Sequence, residues 1–249
     1  MTGTQKFIFI SGGTRGIGRA IALSEAKKGV TLFLNYLRDD ASAAKVRSEA
    51  EKKGARVVLL AGNIGDIDTV TSLFESVQKE TAHLNALVHS AALGVFKPAH
   101  RLRVKDWDIS LDVNAKALLL LSQAALPLMK KQGGKIVAIS SLGSQRFTPN
   151  YGAIGISKAA LENLVRYLAV ELAPFKIQVN AVSGGLVQTD SLRMFPHLEA
   201  MKKEYLSRTP GARLGRPEDL AQVVSFLLGP QSGWVYGQTL IADGGYCLL

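Results

Sequence analysis

A glycine-rich run near the N-terminus has the residue types that bind phosphate groups. It follows the short apolar stretch Lys6–Ser11 and comprises Ser11, Gly12, Gly13, Thr14, Arg15, Gly16, Ile17 and Gly18. Glycines permit a tight turn after a strand and let the backbone approach a pyrophosphate, and the first N–H groups of a following helix attract its negative charge. Because the run lies between the first predicted strand and the first predicted helix, it predicts a dinucleotide site.

The end of the second predicted strand bears on the choice of cofactor. It reads Asn35-Tyr36-Leu37-Arg38, and the nearest acid, Asp39, comes later. Sites that prefer NAD usually hold the ribose 2′-hydroxyl with an acid at the strand end. Arg15 and Arg38 are instead placed to reach a 2′-phosphate, which favours NADPH. The alternative is that Arg38 is a solvated loop residue and that the cofactor choice is promiscuous.

The elements that must position these residues alternate along the chain. Strands are predicted over 6–11, 30–36, 55–61, 84–89, 135–140, 176–182 and 239–242. Helices are predicted from the glycine-rich run to residue 28 and over 41–53, 67–81, 104–131, 151–173 and 217–228. Apolar strands separated by helices of this length predict an α/β fold, a doubly wound (Rossmann) parallel sheet of about seven strands with helices on both faces. One domain is predicted over 1–249, with a small substrate lid at about 188–213.

Composition limits the classes of partner. The formal net charge is +10, which favours acidic partners such as nucleotides or an acidic carrier protein. The basic residues are dispersed, with no basic tail and no pattern of stacking aromatics, so nucleic acid is not expected as a ligand. The sequence has one cysteine and four histidines. Their spacing predicts neither a disulfide nor a metal site.

Targeting signals are not apparent in the sequence. The N-terminal apolar run is short and leads directly into glycines, which is typical of a strand and not of a signal peptide. The apolar stretch Ala117–Met129 is, by its own length, too short to cross a bilayer and predicts a buried helix. We therefore expect a cytoplasmic protein with no stable membrane association.

Several motifs make the sequence similar to the short-chain dehydrogenase/reductase family along its whole length. The matching positions are the spacing Gly12-x-x-x-Gly16-x-Gly18, the pair Asn63-Ile64, Asn114 within 112–115, and residues 215–219 and 237–245. The resemblance implies that Asn63 and Ile64 contact adenine and that Asn114 supports a catalytic lysine through a water. It also implies further cofactor contacts at Ser90, Ala91, Gly185, Val187 and Thr189.

The sequence departs from the family pattern where the chemistry is expected. The family's usual tyrosine, four residues before the lysine, is replaced by Ile154, and the nearest tyrosine is Tyr151, seven before Lys158. This spacing and residues 140–151 resemble enoyl-acyl-carrier-protein reductases, and residues 182–185 and 189–190 resemble the NADPH-dependent type III enzymes in particular. Type I enzymes have a second tyrosine where Ser141 stands here. Two smaller departures are His89-Ser90-Ala91-Ala92 in place of Asn-Asn-Ala-Gly and Ser183-Gly184 in place of Pro-Gly.

The spacing has a chemical consequence. If the helix already includes Tyr151, three residues correspond to about 4.5 Å along its axis, which moves the hydroxyl away from a nicotinamide while Lys158 stays on the cofactor ribose. Enoyl-thioester reduction sends hydride to the β-carbon and charge to the thioester oxygen, and a hydroxyl set back in this way suits that oxygen. Ser141 either touches the substrate oxygen or caps the strand end. Met194 and Phe195 either line an acyl channel or pack in a core.

The leading expectation is NADPH-dependent reduction of trans-2-enoyl-acyl-carrier-protein or CoA thioesters in fatty-acid biosynthesis, with catalysis by Tyr151, Lys158, Ser141 and Asn114. An alternative is a carbonyl reductase of the 3-oxoacyl or hydroxysteroid type, which requires another proton donor in place of Ile154. A third is a non-catalytic NADPH-binding module that acts through its partners. The resemblance implies an acyl-carrier protein as partner and a homotetramer, formed mainly through 117–128 and the helix from Tyr151, with a further interface at the C-terminal segment.

Overall fold

Seven parallel strands form one sheet in the computed structural model, which describes residues 5–195 and 198–249. The strands are β1 (Lys6–Ser11), β2 (Val30–Tyr36), β3 (Arg56–Ala61), β4 (Ala86–His89), β5 (Gly134–Ser141), β6 (Ile177–Gly184) and β7 (Thr239–Ala242). The helices are α1 (Gly16–Glu25), α2 (Asp40–Lys52), α3 (Ile67–Glu80), α4 (Val104–Leu111), α5 (Ala117–Met129), α6 (Gly152–Leu172), α7 (Leu198–Ser207) and α8 (Pro217–Leu228). The predicted doubly wound α/β fold is therefore confirmed.

Helices cover both faces of the sheet because its strands are apolar on both faces. Every residue of β6 is buried, as expected for a parallel strand enclosed by helices. One face packs against α3, α5 and α6, and its core includes Phe9 and Leu121. The other packs against α1, α2 and α8, and its core includes Ile10 and Leu220.

The strand order places a crevice at the centre of the sheet. The order is β3-β2-β1-β4-β5-β6-β7, so the chain leaves β1 toward one edge and returns at β4 toward the other. Ser11 at the end of β1 is level with His89 at the end of β4. In doubly wound sheets ligands bind beyond the carboxyl ends of the strands at this switch point. The glycine-rich run therefore starts at the edge of that crevice.

The helical stretch Val104–Met129 is longer than the apolar run inside it. A wide π-helical turn, Asp112–Lys116, joins α4 to α5 without a break. By length and composition, this continuous helix is one that could cross a membrane, although 44% of its most apolar window is buried inside the molecule. The apolar stretch Ala117–Met129, with 13 residues, is by itself too short to span a bilayer, as predicted, whereas the continuous helix that contains it is long enough. The buried helix itself is confirmed, since Leu118, Leu121 and Met129 lie in the core.

The predicted lid contains a helix that was not predicted. A short 3₁₀ turn, Asp190–Met194, is followed by α7. Pro196 and His197, within the predicted lid, lie outside the described residues. Leu198, Met201 and Tyr205 of α7 pack in a small separate core with Leu192 and Leu214. Their i, i+3, i+7 spacing is a helical signal, so the sequence did carry the information for this helix.

Candidate active site

The cofactor turn, the glycine-rich run 11–18, has no space for side chains at Gly12 and Gly18. Gly12 and Gly16 have φ of +63° and +51°, values that favour glycine. A Cβ on Gly12 would lie 2.7 Å from the Cα of Ala91, and a Cβ on Gly18 would lie 2.1 Å from the Gly12 carbonyl oxygen. The turn therefore packs backbone against backbone, and this brings the start of α1 close to the sheet.

The start of α1 has the features of an anion site. No side chain caps it, and no acidic residue occupies its first turn. Its first amides are therefore available to phosphate oxygens. A cleft of about 700 Å³ opens beside it. Basic side chains line this cleft from the cofactor turn, α1, α2 and the lid: Arg15, Arg19, Lys45, Arg193 and Lys202. The cradle and its charge fit the pyrophosphate of a dinucleotide.

The acid after β2 is already engaged. The Asp39 side chain caps α2 by accepting from the Ser42 amide at 3.0 Å and the Ser42 hydroxyl at 2.7 Å. These hydrogen bonds lower the pKa of the Asp39 carboxyl. The Arg15 guanidinium lies 3.9 Å from the same carboxylate, and Arg38 is exposed. Arg15 and Arg38 thus lie near the end of β2, while the Asp39 carboxylate is occupied in capping α2.

The other residues predicted to contact the cofactor differ in their distance from the cofactor turn and in whether their side chains are exposed. Ser90 and Ala91 adjoin the cofactor turn, since both amides donate to the Ser11 hydroxyl at 3.2 and 3.3 Å. Asn63 is exposed, and its side-chain oxygen Oδ1 accepts from the Gly65 backbone amide. Ile64 is 3% exposed and packs in the core. Its side chain is therefore committed to the core, and only its backbone remains for a cofactor.

The segment after β6 approaches the cofactor turn at one residue. A Cβ on Gly16 would lie 3.4 Å from the Thr189 methyl carbon. The Val187 side chain is buried in the core instead. Gly185 faces the lid, because a Cβ there would lie 1.9 Å from the Tyr205 hydroxyl. The glycine leaves room for that hydroxyl to donate to the Asp243 carbonyl at 2.9 Å.

Tyr151 and Lys158 meet the end of β5. Tyr151 immediately precedes α6 and has non-helical backbone angles, so its offset from Lys158 is not the simple helical rise assumed above. Its hydroxyl donates to the Ser141 hydroxyl at 3.3 Å. The Lys158 ammonium donates to the Ile139 carbonyl at 2.7 Å. Ile154, four residues before Lys158, is buried against Gly94.

The environment changes how both groups ionise. Burial raises the pKa of Tyr151, with the Ser141 hydrogen bond opposing the shift. Burial lowers the pKa of Lys158 to about 8, with the Glu162 carboxylate opposing the shift. At neutral pH the pair is therefore a neutral phenol and a lysine that is mostly cationic. This combination supplies a hydrogen-bond donor and a positive charge side by side.

The two alternatives for Ser141 are compatible in the structure. Its hydroxyl accepts from the Gly143 amide at 3.4 Å, which caps the 3₁₀ turn Leu142–Ser144 that follows β5. The same hydroxyl accepts from Tyr151. Ser141 therefore orients the tyrosine whether or not it also touches a substrate.

Asn114 connects three parts of the site. Its amide nitrogen donates to the Leu93 carbonyl and to the Ser157 hydroxyl, each at 2.8 Å, and its side-chain oxygen accepts from the Leu93 amide. Asn114 thus ties the π-helical turn to the residue next to Lys158. Its support of the lysine through a water stays a prediction.

His89, which the sequence showed only as a departure from the family motif, is part of this network. Its ring is fully buried, with Nε2 3.2 Å from the Asn114 carbonyl oxygen and Nδ1 2.9 Å from the Ser11 hydroxyl. A carbonyl only accepts, so Nε2 carries the proton and the Ser11 hydroxyl donates to Nδ1. Burial and the nearby Lys158 charge lower the pKa of His89 to about 3. A neutral histidine therefore joins the cofactor turn to the π-helical turn.

Aromatic rings close the site over Tyr151. The Phe96 and Phe195 ring centroids are 4.4 Å apart, and they lie 5.9 Å and 5.6 Å from that of Tyr151. Phe195 therefore packs on the reactive side chain, as the acyl-channel alternative requires, whereas Met194 is exposed. Phe96, from the loop after β4, was not predicted because nothing in its local sequence relates it to Tyr151.

Comparison with known proteins agrees with this arrangement. A family model described as Enoyl-(Acyl carrier protein) reductase matches residues 12–247. The 1-cyclohexenylcarbonyl-CoA reductase of Streptomyces collinus is 40% identical over 242 residues, covering 96% of this chain and 86% of that protein. An NADPH-dependent aldehyde reductase-like protein of Arabidopsis thaliana is 32% identical over 252 residues, covering 95% and 92%.

Solved structures match along almost the whole chain. A 7α-hydroxysteroid dehydrogenase complexed with NADH and 7-oxo glycochenodeoxycholic acid superposes with a TM-score of 0.92 at 30% identity, covering 97% of this chain and 94% of that one. A putative short-chain alcohol dehydrogenase from Sinorhizobium meliloti superposes with a TM-score of 0.91 at 29% identity, covering 98% and 97%. With its glycine cofactor turn and its Tyr151–Lys158 pair, the chain belongs to the short-chain dehydrogenase/reductase family of NAD(P)(H)-binding oxidoreductases.

Proposed function

We propose that this protein reduces the carbon–carbon double bond of α,β-unsaturated acyl thioesters with NADPH. The observation that carries the proposal is the position of the phenol. Tyr151 lies just before α6 against Ser141, and the position four residues before Lys158 is held by a buried isoleucine that has no proton to give.

The side chains have separate tasks in this reaction. Bound NADPH supplies a hydride to the β-carbon of the substrate. The electron pair of the double bond then moves toward the thioester carbonyl, whose oxygen becomes negative, and the Tyr151 hydroxyl is the donor that stabilises it. The Lys158 cation lowers the cost of that charge. A proton from solvent water then adds to the α-carbon and completes the saturated thioester.

The cofactor preference is supported by the residues around the end of β2. Asp39 is engaged by α2 and Arg15, and Arg38 is exposed beside them. We expect Arg38→Ala to weaken NADPH binding about tenfold or more, because one charge-assisted contact to a phosphate is lost, and to leave NADH binding nearly unchanged. Equal losses for both cofactors in fluorescence titrations would contradict the proposed 2′-phosphate contact.

The carrier of the acyl group is proposed from the comparisons and the charge. The family model is described by an acyl-carrier-protein substrate, and the name of the Streptomyces relative gives a CoA thioester with its ring double bond next to the carbonyl. The net charge of +10 suits either acidic carrier. Matched thioesters of CoA and of acyl-carrier protein, compared by kcat/KM, distinguish the two, and a preference for the carrier protein would support a role in fatty-acid biosynthesis.

Carbonyl reduction is the second candidate, because it is supported by relatives. Hydroxynaphthalene reductase-like proteins of Metarhizium species are 32–33% identical to this chain, and one solved neighbour carries a 7-oxo steroid. In this chain Tyr151 would have to serve as the proton donor from its more distant position.

One assay separates these functions. NADPH oxidation is measured with crotonyl, 1-cyclohexenylcarbonyl and longer trans-2-enoyl thioesters, beside acetoacetyl thioester, for the wild type and Tyr151→Phe. We expect enoyl turnover that falls about 100-fold or more in the variant, as when an oxyanion donor is removed. Turnover of the acetoacetyl substrate alone would refute the enoyl proposal. Tight NADPH binding without any turnover would favour the non-catalytic module.

We also propose that the protein assembles as a homotetramer. Large apolar side chains are exposed on α4, on α6 and in the loop before β7, and not on 117–128 itself: Val104, Trp107, Ile109, Tyr167, Val170 and Trp234. Exposed apolar patches of this kind usually mark interfaces. Light scattering that gives a monomer mass at assay concentrations would contradict the proposal.

A further inference from the structure

Glu162 is a buried carboxylate that the proposed mechanism does not use. It lies one turn after Lys158 on α6, and it is 3% exposed. The Ser144 hydroxyl donates to one carboxylate oxygen of Glu162 at 2.6 Å, and the Gln145 side-chain amide donates to the other at 3.2 Å. The Ser140 hydroxyl also donates to it. A glutamate is rarely buried unless it is paired, and here its partners all come from the end of β5 and the turn after it.

This turn supports Tyr151. Ser141 lies between the Glu162 partners Ser140 and Ser144, and it accepts from Tyr151. The turn also packs directly on the phenol ring, since a Cβ on Gly143 would lie 2.5 Å from a ring carbon of Tyr151. Movement of the turn therefore moves the tyrosine.

Glu162 also interacts electrostatically with Lys158, which lies four residues before it on α6. Residues four apart lie on the same side of a helix. The titratable groups that interact with Lys158 are Glu162 on its own helix and neutral His89 from β4. The strand β5 contributes the uncharged Ile139 carbonyl. Of Glu162 and His89, the two titratable groups whose charges interact with Lys158, only Glu162 is negative.

We propose that Glu162 is a positioning residue that keeps Lys158 cationic and holds the Ser140–Gln145 turn against Tyr151. The inference rests on the proposed function in one respect, namely that Tyr151 and Lys158 are the reacting pair. A buried ammonium without a nearby anion loses its proton at lower pH. The Glu162 carboxylate opposes the effect of burial on the pKa of Lys158, which is about 8 in its presence. Loss of the Glu162 negative charge is expected to lower the pKa of Lys158 further.

The test compares variants that remove the charge with one that keeps it. Glu162→Gln keeps the shape, Glu162→Met removes both charge and hydrogen bonds, and Glu162→Asp keeps the charge. The deprotonation midpoint of Lys158 is measured by competitive acetylation and mass spectrometry along a pH series, beside the pH dependence of kcat. Glu25→Gln is the matched control, because Glu25 is a buried glutamate on α1 that pairs with Lys6 at 3.1 Å and Ser225 at 2.7 Å.

We expect the midpoint and the alkaline limb of kcat to move down by about one pH unit in the Gln and Met variants and to stay at the wild-type value in Glu162→Asp and Glu25→Gln. Having two charge-removing variants keeps the test open if one of them does not fold. An unchanged midpoint with a lower rate at every pH would show a purely structural role and overturn the proposal. Acetylation needs no turnover, so failure of enoyl reduction in the wild type would refute the proposed function and leave this midpoint measurable.

Discussion

The cofactor turn and the lid line the same cleft but are held in place differently. The turn is packed backbone to backbone, with Gly18 against Gly12 and Gly12 against Ala91. The lid is held by side chains, where Tyr205 stacks on Tyr246 at 4.2 Å and donates to the Asp243 carbonyl, and by backbone hydrogen bonds from Gln188 to Gly215 at 2.8 Å and from Gly211 to Gly244 at 2.9 Å. A methyl group added at the turn would meet backbone, whereas the side-chain contacts of the lid can be removed one at a time. The two regions can therefore be tested separately, the turn for cofactor binding and the lid for substrate binding.

The largest expected effect comes from breaking the backbone packing of the cofactor turn. Gly18→Ala places a methyl group 2.1 Å from the Gly12 carbonyl oxygen, so the start of α1 must move away from the turn. We expect NADPH affinity to fall about 100-fold or more, measured by fluorescence titration, which corresponds to about 3 kcal/mol.

Gly29→Ala is the control for this prediction. Gly29 has a positive φ, +86°, as do Gly12 and Gly16 of the turn, but nothing lies within 4 Å of its Cβ position. Gly29→Ala is expected to cost about 1 kcal/mol of stability from backbone strain and to leave NADPH binding unchanged. Equal loss of binding in both variants would mean that general destabilisation, and not close packing at the turn, lowers the affinity.

The next effect concerns the buried histidine that joins the cofactor turn to Asn114. The pKa of His89 is about 3 in the folded protein and about 6.5 in an unfolded chain. As pH falls through this window the unfolded chain binds a proton that the folded one does not, so the free energy of unfolding decreases by a few kcal/mol. Urea titrations at a series of pH values measure this slope.

His89→Asn removes the titrating ring and is expected to flatten that slope. The exposed His100→Asn variant retains His89 and therefore the wild-type slope. If His89→Asn kept the wild-type slope of unfolding free energy against pH, another group would be responsible for the acid sensitivity. The link between the cofactor turn and Asn114 would then not depend on a neutral His89.

A smaller effect is expected where the lid is anchored. Tyr205→Phe removes the hydrogen bond to the Asp243 carbonyl, which contributes about 1 kcal/mol. Because the contact lies at the base of the lid and not at the cofactor turn, we expect KM for the acyl substrate to rise severalfold while NADPH affinity stays constant. A parallel loss of NADPH affinity would show that the lid and the turn are not independent.

The smallest effect is expected over Tyr151. Phe195→Leu removes the aromatic contacts with Phe96 and Tyr151, which contribute about 0.5–1.5 kcal/mol, and is expected to change KM several-fold between straight-chain and ring-bearing thioesters. Phe147→Leu is the matched control, because Phe147 is 91% exposed. Identical substrate preference in the wild type and Phe195→Leu would exclude Phe195 from the acyl channel.

The sequence by itself determined the architecture and the cofactor turn. Strands β1, β2 and β7 and helix α8 have the predicted bounds, because apolar runs buried on both faces and glycine or proline boundaries are local signals. The turn was recognisable since Gly12, Gly13, Gly16 and Gly18 are closely spaced and directly follow a strand. The spacing of Tyr151 and Lys158 was equally visible.

Only the tertiary structure decided which distant residues complete the site. Glu162 meets the turn after β5, His89 meets Asn114, and Phe96 meets Phe195, and none of these pairs is marked by local periodicity. The same holds for Ile64, whose neighbours direct its side chain into the core. Local propensity follows from a few adjacent residues, whereas a buried polar contact depends on which strands and helices pack together, and that is a property of the whole fold.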